Sequence, residues 1–340
     1  MVGIAATMTW NETIAEDEAA RFAGYARELR EMQKASVRDG KIRRALHAKQ
    51  HVGVVGQLVV AQQPGTLRPA LFAQPVTWPV YTRFSSGSGA RQHDAVADVR
   101  GIAIKVVGVP GKKLIPGLED KLTQDFLFIQ VPATPFRGPD EFVSFVRIAT
   151  RGKALLVPRL IGAFGLGRAF SILSGLASMP KVSSMATARF YTATPIRFGE
   201  TAAKLALFPL SAAAGTSVEG RDALRADLVS RLKAGPIEYS LSAQLFVDDA
   251  TTPIEDASVV WPEAKTPFLE LGRLTLPRQD VLSPRGREIE ELVERLSFDP
   301  WHAVEELRPL GAMMRARSHA YRESVLERQA AAEPEEVLGL

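Results

Sequence analysis

Two periodicities divide the chain. Between residues 12 and 35, Ala15, Ala19, Phe22, Tyr25, Leu29 and Met32 recur every three or four positions among charged residues. That spacing predicts an amphipathic helix. From about residue 51 the pattern changes to short runs rich in Val, Ile and Phe: VGVVGQLVVA, TWPVYTRFSS, RGIAIKVVG and QDFLFIQV. Gly and Pro separate them, and they predict strands. Residues 139–178 predict helix. IEYSLSAQLFV and FLELGRLTLP predict two later strands, and REIEELVERL and GAMMRARSHAYRESVLERQA predict helices. Strands, helices, strands, helices is the order of an α+β fold built round an antiparallel sheet, with enough strands for a β-barrel. The expected division is a helical arm over residues 1–40 and one domain over 41–335.

Composition narrows the chemistry. The chain has 340 residues, 46% of them hydrophobic, enough for a sizeable core. Its 42 basic and 38 acidic residues leave a net charge of +4, spread along the chain. Nucleic-acid binding is not expected from so small and mixed an excess. There are no cysteines, which removes disulfides, thiolate nucleophiles and Cys-ligated zinc or iron–sulfur clusters. The N-terminal residues lack the basic and compact apolar regions of a signal peptide, so a cytoplasmic location is expected. Residues 154–181 are rich in Leu, Ala, Ile and Phe, but Arg159 and Arg168 interrupt them and Pro158 breaks them. A buried helix pair is the first reading, and a peripheral lipid-facing patch is the second.

Nucleotide signatures are absent: there is no G-x-G-x-x-G after a strand and no G-x-x-x-x-G-K-[ST]. There is no G-x-S-x-G either, which argues against an α/β-hydrolase. The five histidines, His47, His51, His93, His302 and His319, form no H-E-x-x-H and no zinc pair.

One helical stripe carries unusual chemistry. Arg317, Tyr321 and Arg328 are spaced four and seven residues apart, which stacks them on one side of a helix. A cation one turn from a phenol favours the anionic form, and an anionic oxygen fixed on a helix is a good ligand for a hard ferric ion. His319 projects from the far side. The competing reading is two solvated arginines flanking a half-buried core tyrosine.

The rest of the chain bears on that choice. RALHAK at 44–49, RFSS at 83–86, DVRGIAIKV at 98–106, VVWPEAKTPFLELGRLTL at 259–276 and the closing R-x-x-x-Y of Arg317–Tyr321 occur in this order. Together they closely resemble the catalases, over roughly Arg44 to Arg328. The resemblance implies a catalase-like barrel with surrounding helices, and haem b with ferric iron as cofactor. It implies Tyr321 as proximal iron ligand, with Arg317 holding it as phenolate. His47 is then the distal acid–base group, oriented by Ser85. Arg44, Arg83 and Arg328 clamp the haem propionates, and Phe136 stacks on the porphyrin.

There are departures from the family pattern. The catalase distal asparagine would fall at Leu122, Thr123 or Gln124, and none of these is Asn. Gln124 is the nearest substitute for the amide. The chain is short, and the apolar stretch 154–215 is foreign to the pattern. These features are more similar to the small catalase-related proteins without the C-terminal domain. The expected activity is haem-dependent breakdown of hydrogen peroxide or organic hydroperoxides, in a homo-oligomer. The alternatives are a fatty-acid hydroperoxide isomerase or lyase, and a non-catalytic haem-binding protein.

Overall fold

The structure is a computed structural model, and it describes residues 9–35, 44–62, 68–152, 155–211 and 220–339. The expected boundary at residues 40 and 41 lies outside the described residues.

Among the described residues nine strands run antiparallel: β1 (Lys49–Val60), β2 (Val76–Ser86), β3 (Arg100–Val107), β4 (Thr123–Ile129), β5 (Phe190–Tyr191), β6 (Ile196–Phe198), β7 (Thr201–Pro209), β8 (Ile237–Leu245) and β9 (Leu269–Leu276). Their order is β5-β4-β3-β2-β1-β9-β8-β7-β6, and β5 also pairs with β7. That last pairing closes eight strands into a barrel and leaves β6 outside the ring.

The period of two decides what fills the barrel. Val52, Val54, Leu58, Phe84, Ile102, Ile104, Phe126 and Phe128 point inward with Leu205, Tyr239 and Leu274 to form the main core. The alternate residues of β1–β4 point outward, and this outer face is where the chemistry lies.

Among the described residues six helices surround the ring: α1 (Glu18–Ala35), α2 (Pro139–Thr150), α3 (Leu156–Ala177), α4 (Ala223–Ala234), α5 (Pro284–Arg295) and α6 (Ala312–Glu327). Ser283 caps α5 by accepting from Gly286 N, with Pro284 in the first turn. Ile289 and Val293 of α5 pack with Val55, Tyr81 and Val107 on the outer face. Gly53 permits the approach, because a Cβ there would stand 2.6 Å from Val293 Cβ.

The start of α6 is fixed by charge and by a glycine. Glu255 accepts from Ala312 N at 2.7 Å and Glu12 from Gly311 N at 2.8 Å, which places acids at the positive end of the helix. Gly311 has φ 86, and a Cβ there would lie 2.5 Å from Ile254 O. Further along, Arg30 of α1 bonds Glu323 and Glu327, so α1 braces α6.

Candidate functional site

His47 lies just before β1 and has φ 54, a left-handed conformation that costs a histidine energy. Its backbone is held from both sides: His47 N donates to Gly87 O at 2.8 Å, and Arg83 Nη2 donates to His47 O at 2.9 Å. The ring is fixed as well. Nδ1 lies 2.9 Å from Ser85 Oγ. On β3, a Cβ at Gly101 would stand 2.8 Å from His47 Cε1, so the imidazole rests on that glycine. Burial pushes the His47 pKa down to about 3, and the charges of Arg83, Arg317 and Arg44 push the same way. The imidazole is therefore neutral at ordinary pH.

The neighbouring serine serves the other histidine. Ser86 Oγ lies 2.8 Å from Nε2 of His51, which is fully buried. Ser85 and Ser86 are consecutive in a strand, so they face opposite sides of the sheet. Only the His47–Ser85 pair is on the outer face.

On α6, Arg317 Nη2 donates to Tyr321 Oη at 2.8 Å, and its guanidinium lies 5.1 Å from the centre of the tyrosine ring. The four-residue spacing read from the sequence is thus a direct contact.

Arg44, Arg83 and Arg328 converge from three parts of the chain. Arg44 Nη2 and Arg328 Nη2 both donate to Leu296 O, at 2.6 and 2.9 Å. Arg83 Nη2 lies 3.0 Å from Glu294 Oε2, and Arg44 Nη1 lies 3.4 Å from the same atom. Burial and the charges of Arg83 and Arg328 push Arg44 well below the usual arginine range. Burial and Arg83 push Arg328 down to about 10, against the pull of Glu294. Burial opposes ionisation of Glu294, but Arg83 and Arg44 hold its pKa low. Two guanidiniums thus share one carboxylate while a third stands beside them on the Leu296 carbonyl, a surplus of positive charge suited to an anion. Arg328, at the end of α6, shares the Leu296 carbonyl with Arg44, and Arg83 holds the His47 carbonyl while sharing Glu294 with Arg44. The end of α6, the arginines and His47 are therefore joined in one neighbourhood.

Four other candidate residues lie elsewhere. Gln124 pairs in register with Val106, whose side chain is in the barrel core, so Gln124 shares the inner face. Its Oε1 accepts from Val304 N at 3.1 Å. Gly101, under His47, is paired with Ile129. Gln124 is five residues along β4 from there, about 17 Å away. The expected distal amide is therefore not brought to His47. Leu122, before the strand, is half exposed. Thr123 faces outward but at the far end of the strand, where its Oγ1 bonds His302 Nε2 at 2.6 Å and Glu333 Oε2 at 2.8 Å. The outer-face residues of β4 nearest His47 are Leu127 and Ile129, which have no polar side-chain atom. Phe136 is buried among Phe142, Phe145, Ile172 and Met313, so it touches α6 one turn before Arg317 and not the His47 ring.

Thr123 belongs to a second buried polar group. Lys105 Nζ lies 2.8 Å from Asp125 Oδ1 and 2.6 Å from Glu333 Oε2. Burial pushes Asp125 up to about 8 against the pull of Lys105. A cavity of about 510 Å³ opens beside the arginine cluster; its wall includes Lys49, Gln50, Arg225, Glu290 and Glu294. Neither His47 nor Tyr321 lines it.

Sequence reasoning missed Glu294 and Gly101. Glu294 follows Val293, the core contact of α5, and only the folded chain places it against Arg83. Gly101 had a signal: it stands directly after Arg100 in the RGIAIKV strand, where a side chain would ordinarily pack.

No family model and no curated protein matches the chain. Solved structures do. A fungal catalase superposes with a TM-score of 0.63 at 16% identity, covering 85% of this chain and 60% of its own. A bacterial catalase gives 0.62 at 16%, covering 97% of this chain and 64% of its own. Catalase A from Saccharomyces cerevisiae gives 0.61 at 14%, covering 97% and 69%. The chain thus spans under two thirds of the length of the first two. At these identities the likeness shows the fold: an α+β catalase-like barrel with surrounding helices.

Proposed function

We propose that this chain is a catalase-like haem protein and consumes hydroperoxides. The observation that carries the reading is the meeting of the Arg317–Tyr321 pair, the His47–Ser85 pair and three arginines on one outer face of a catalase-like barrel. The donor set fits haem. Tyr321 offers a single oxygen ligand for ferric iron, and Arg44, Arg83 and Arg328 offer more positive charge than Glu294 balances, which suits two carboxylates. Bound there, haem would supply a Lewis-acidic, redox-active iron for the peroxide.

The side chains of the protein move the proton. His47 is neutral, so it can accept a proton from a hydroperoxide. With Nδ1–H donating to Ser85 Oγ, Nε2 keeps a free lone pair for that task. Returning the proton to the departing oxygen releases water or an alcohol in place of a poor anionic leaving group. Gly101 and the Arg83 bond to the His47 carbonyl hold the ring in place for both transfers.

The substrate follows from what stands next to His47. Leu127 and Ile129 offer no hydrogen bond to a second hydrogen peroxide, so oxygen evolution should be weak. Organic hydroperoxides, or peroxide-driven oxidation of organic donors, should be favoured. The apolar α3 beside Phe136 and Met313 also favours a second reading, in which a fatty-acid hydroperoxide is rearranged instead of reduced.

The purified protein should show a ferric haem spectrum of tyrosinate type, and Tyr321→Phe should lose or loosen the haem. Full haem occupancy with an unchanged spectrum in that variant would overturn the assignment. Product analysis separates the two readings: an alcohol and water in one, an epoxide or aldehyde in the other.

A further inference from the structure

Helix α3 is built unlike the others. Among the described residues it is the one helix long and apolar enough to cross a membrane, yet only 17% of its most apolar window is buried. Leu166 and Phe170 are each 72% exposed, and Leu155, Val157 and Ile161 are exposed beside them. The opposite side is firmly attached. Leu160, Ala169 and Ile172 are buried against α2 and against the cluster of Phe136 and Met313. Arg168 ties the helix down through Glu141 and through Pro135 O at 3.0 Å.

It does not span. Gly165 has φ 75 and ψ 163, which breaks the helix into two arms, Leu156–Phe164 and Leu166–Ala177. Each arm is shorter than the ~20 residues a crossing needs. A bent apolar stripe on a folded body is the geometry of a helix lying in a membrane interface.

Charge identifies the kind of surface. From Phe142 to Gly199 the sequence has no Asp or Glu, while Arg147, Arg151, Arg159, Arg168, Lys181 and Arg197 all fall within it. Arg147, Arg168 and Arg197 are paired with Glu28, Glu141 and Glu305. No ion pair among the described residues takes in Arg151, Arg159 or Lys181; Arg151 and Lys181 lie beyond the two ends of the apolar stripe, and Arg159 lies within its first arm. An apolar face bracketed by unpaired cations matches acyl chains rimmed by anionic phosphates.

We propose that α3 docks this protein on the surface of an anionic lipid bilayer, with Leu166 and Phe170 in the acyl region and Arg151, Arg159 and Lys181 at the headgroups. The buried side of the same helix reaches Phe136 and Met313, one turn from Arg317 on α6. On the haem reading above, docking would present membrane-derived lipid hydroperoxides to the site.

The test uses the full-length protein and vesicles of phosphatidylcholine, with or without phosphatidylglycerol. The wild type should sediment with the anionic vesicles and be released as salt is raised. Leu166→Asp with Phe170→Asp, and separately Arg151→Gln with Arg159→Gln, should each lower the partition coefficient roughly tenfold or more. Both should keep the wild-type circular dichroism and melting temperature. Failure of the wild type to bind, or binding unaffected by either pair, would overturn the proposal. So would a dimer that Leu166→Asp with Phe170→Asp makes monomeric without any vesicle binding, since a second copy would then cover the face. Turnover separates the two proposals. The Asp pair should slow consumption of a lipid hydroperoxide in vesicles and leave a small soluble hydroperoxide unaffected. Inactivity of the wild type towards both would count against the haem reading, while sedimentation would still decide the docking.

Discussion

Replacing Gly101 by Ala tests the placement of His47 most directly. The added Cβ would stand 2.8 Å from His47 Cε1, 3.1 Å from Nδ1 and 3.2 Å from Phe128 O. Carbon atoms sit comfortably at about 3.5–4.0 Å, so the ring must retreat by about 0.7 Å. A retreat of that size stretches the 2.9 Å contact with Ser85 Oγ to the edge of hydrogen bonding. Gly101 has no positive φ, so alanine suits the backbone and the effect comes from the ring. Overpacking costs about 1–3 kcal/mol, and the weakened hydrogen bond about 1 kcal/mol. A proton-transfer group displaced by that amount should slow hydroperoxide consumption roughly 10- to 100-fold. On the haem reading proposed above, the assay is steady-state turnover on haem-loaded protein, with occupancy followed by absorbance. The His47 imidazole signal in NMR gives a readout independent of activity. A variant with wild-type turnover, melting temperature and imidazole shift would refute the reasoning, because the ring would then have free space.

Other consequences follow from the buried charges. Because the His47 pKa is depressed to about 3, the neutral imidazole persists as pH falls, and the rate should show no ionisation near the usual histidine value of about 6.5. An acid limb centred there would contradict the environment described. The same depression, shared by His51 at about 4 and His302 at about 3, means the unfolded chain takes up protons first. These three groups should therefore lower stability as pH falls from about 6.5 towards 3, measurable as a falling urea midpoint. Lys105→Met leaves Asp125 and Glu333 buried without their cation and should cost about 3–5 kcal/mol in urea unfolding. Adding Asp125→Leu and Glu333→Leu should recover most of that loss; a single variant as stable as wild type would show that Lys105 carries no such load.

The strands around the candidate site could be read from alternation. In RGIAIKVV and TQDFLFI the residues that fill the core, Ile102, Ile104, Val106, Phe126 and Phe128, fall at every second position, and the structure uses that period directly. The Arg317–Tyr321 contact could be read as well, because helix spacing alone brings the two side chains together. Strand β7 could not. Its sequence, TAAKLALFP, is rich in Ala and Leu and poor in β-branched residues, so local propensity hides a strand that the barrel imposes. The two residues of β5 are too short for any periodicity. Glu294 was invisible because its partners lie more than two hundred residues earlier. The inward turn of Gln124 is legible in its own strand. Phe126 and Phe128 fill the barrel, and the same parity turns Gln124 inward.

The join at β5 has a mechanical meaning. β1 and β2 share a ladder from Lys49 to Val60, whereas the ring closes through three register pairs: Ile129 with Tyr191, Phe190 with Leu207, and Tyr191 with Ala206. Side chains reinforce what the backbone supplies sparingly. The Tyr191 and Phe208 rings lie 6.0 Å apart, and Phe208 and Phe268 4.9 Å apart. A cylinder under load parts where its hoop is thinnest. Thermal breathing should therefore concentrate at this aromatic clasp, and because Ile129 pairs with both Tyr191 and Gly101, the yielding seam borders the strand on which the His47 ring rests.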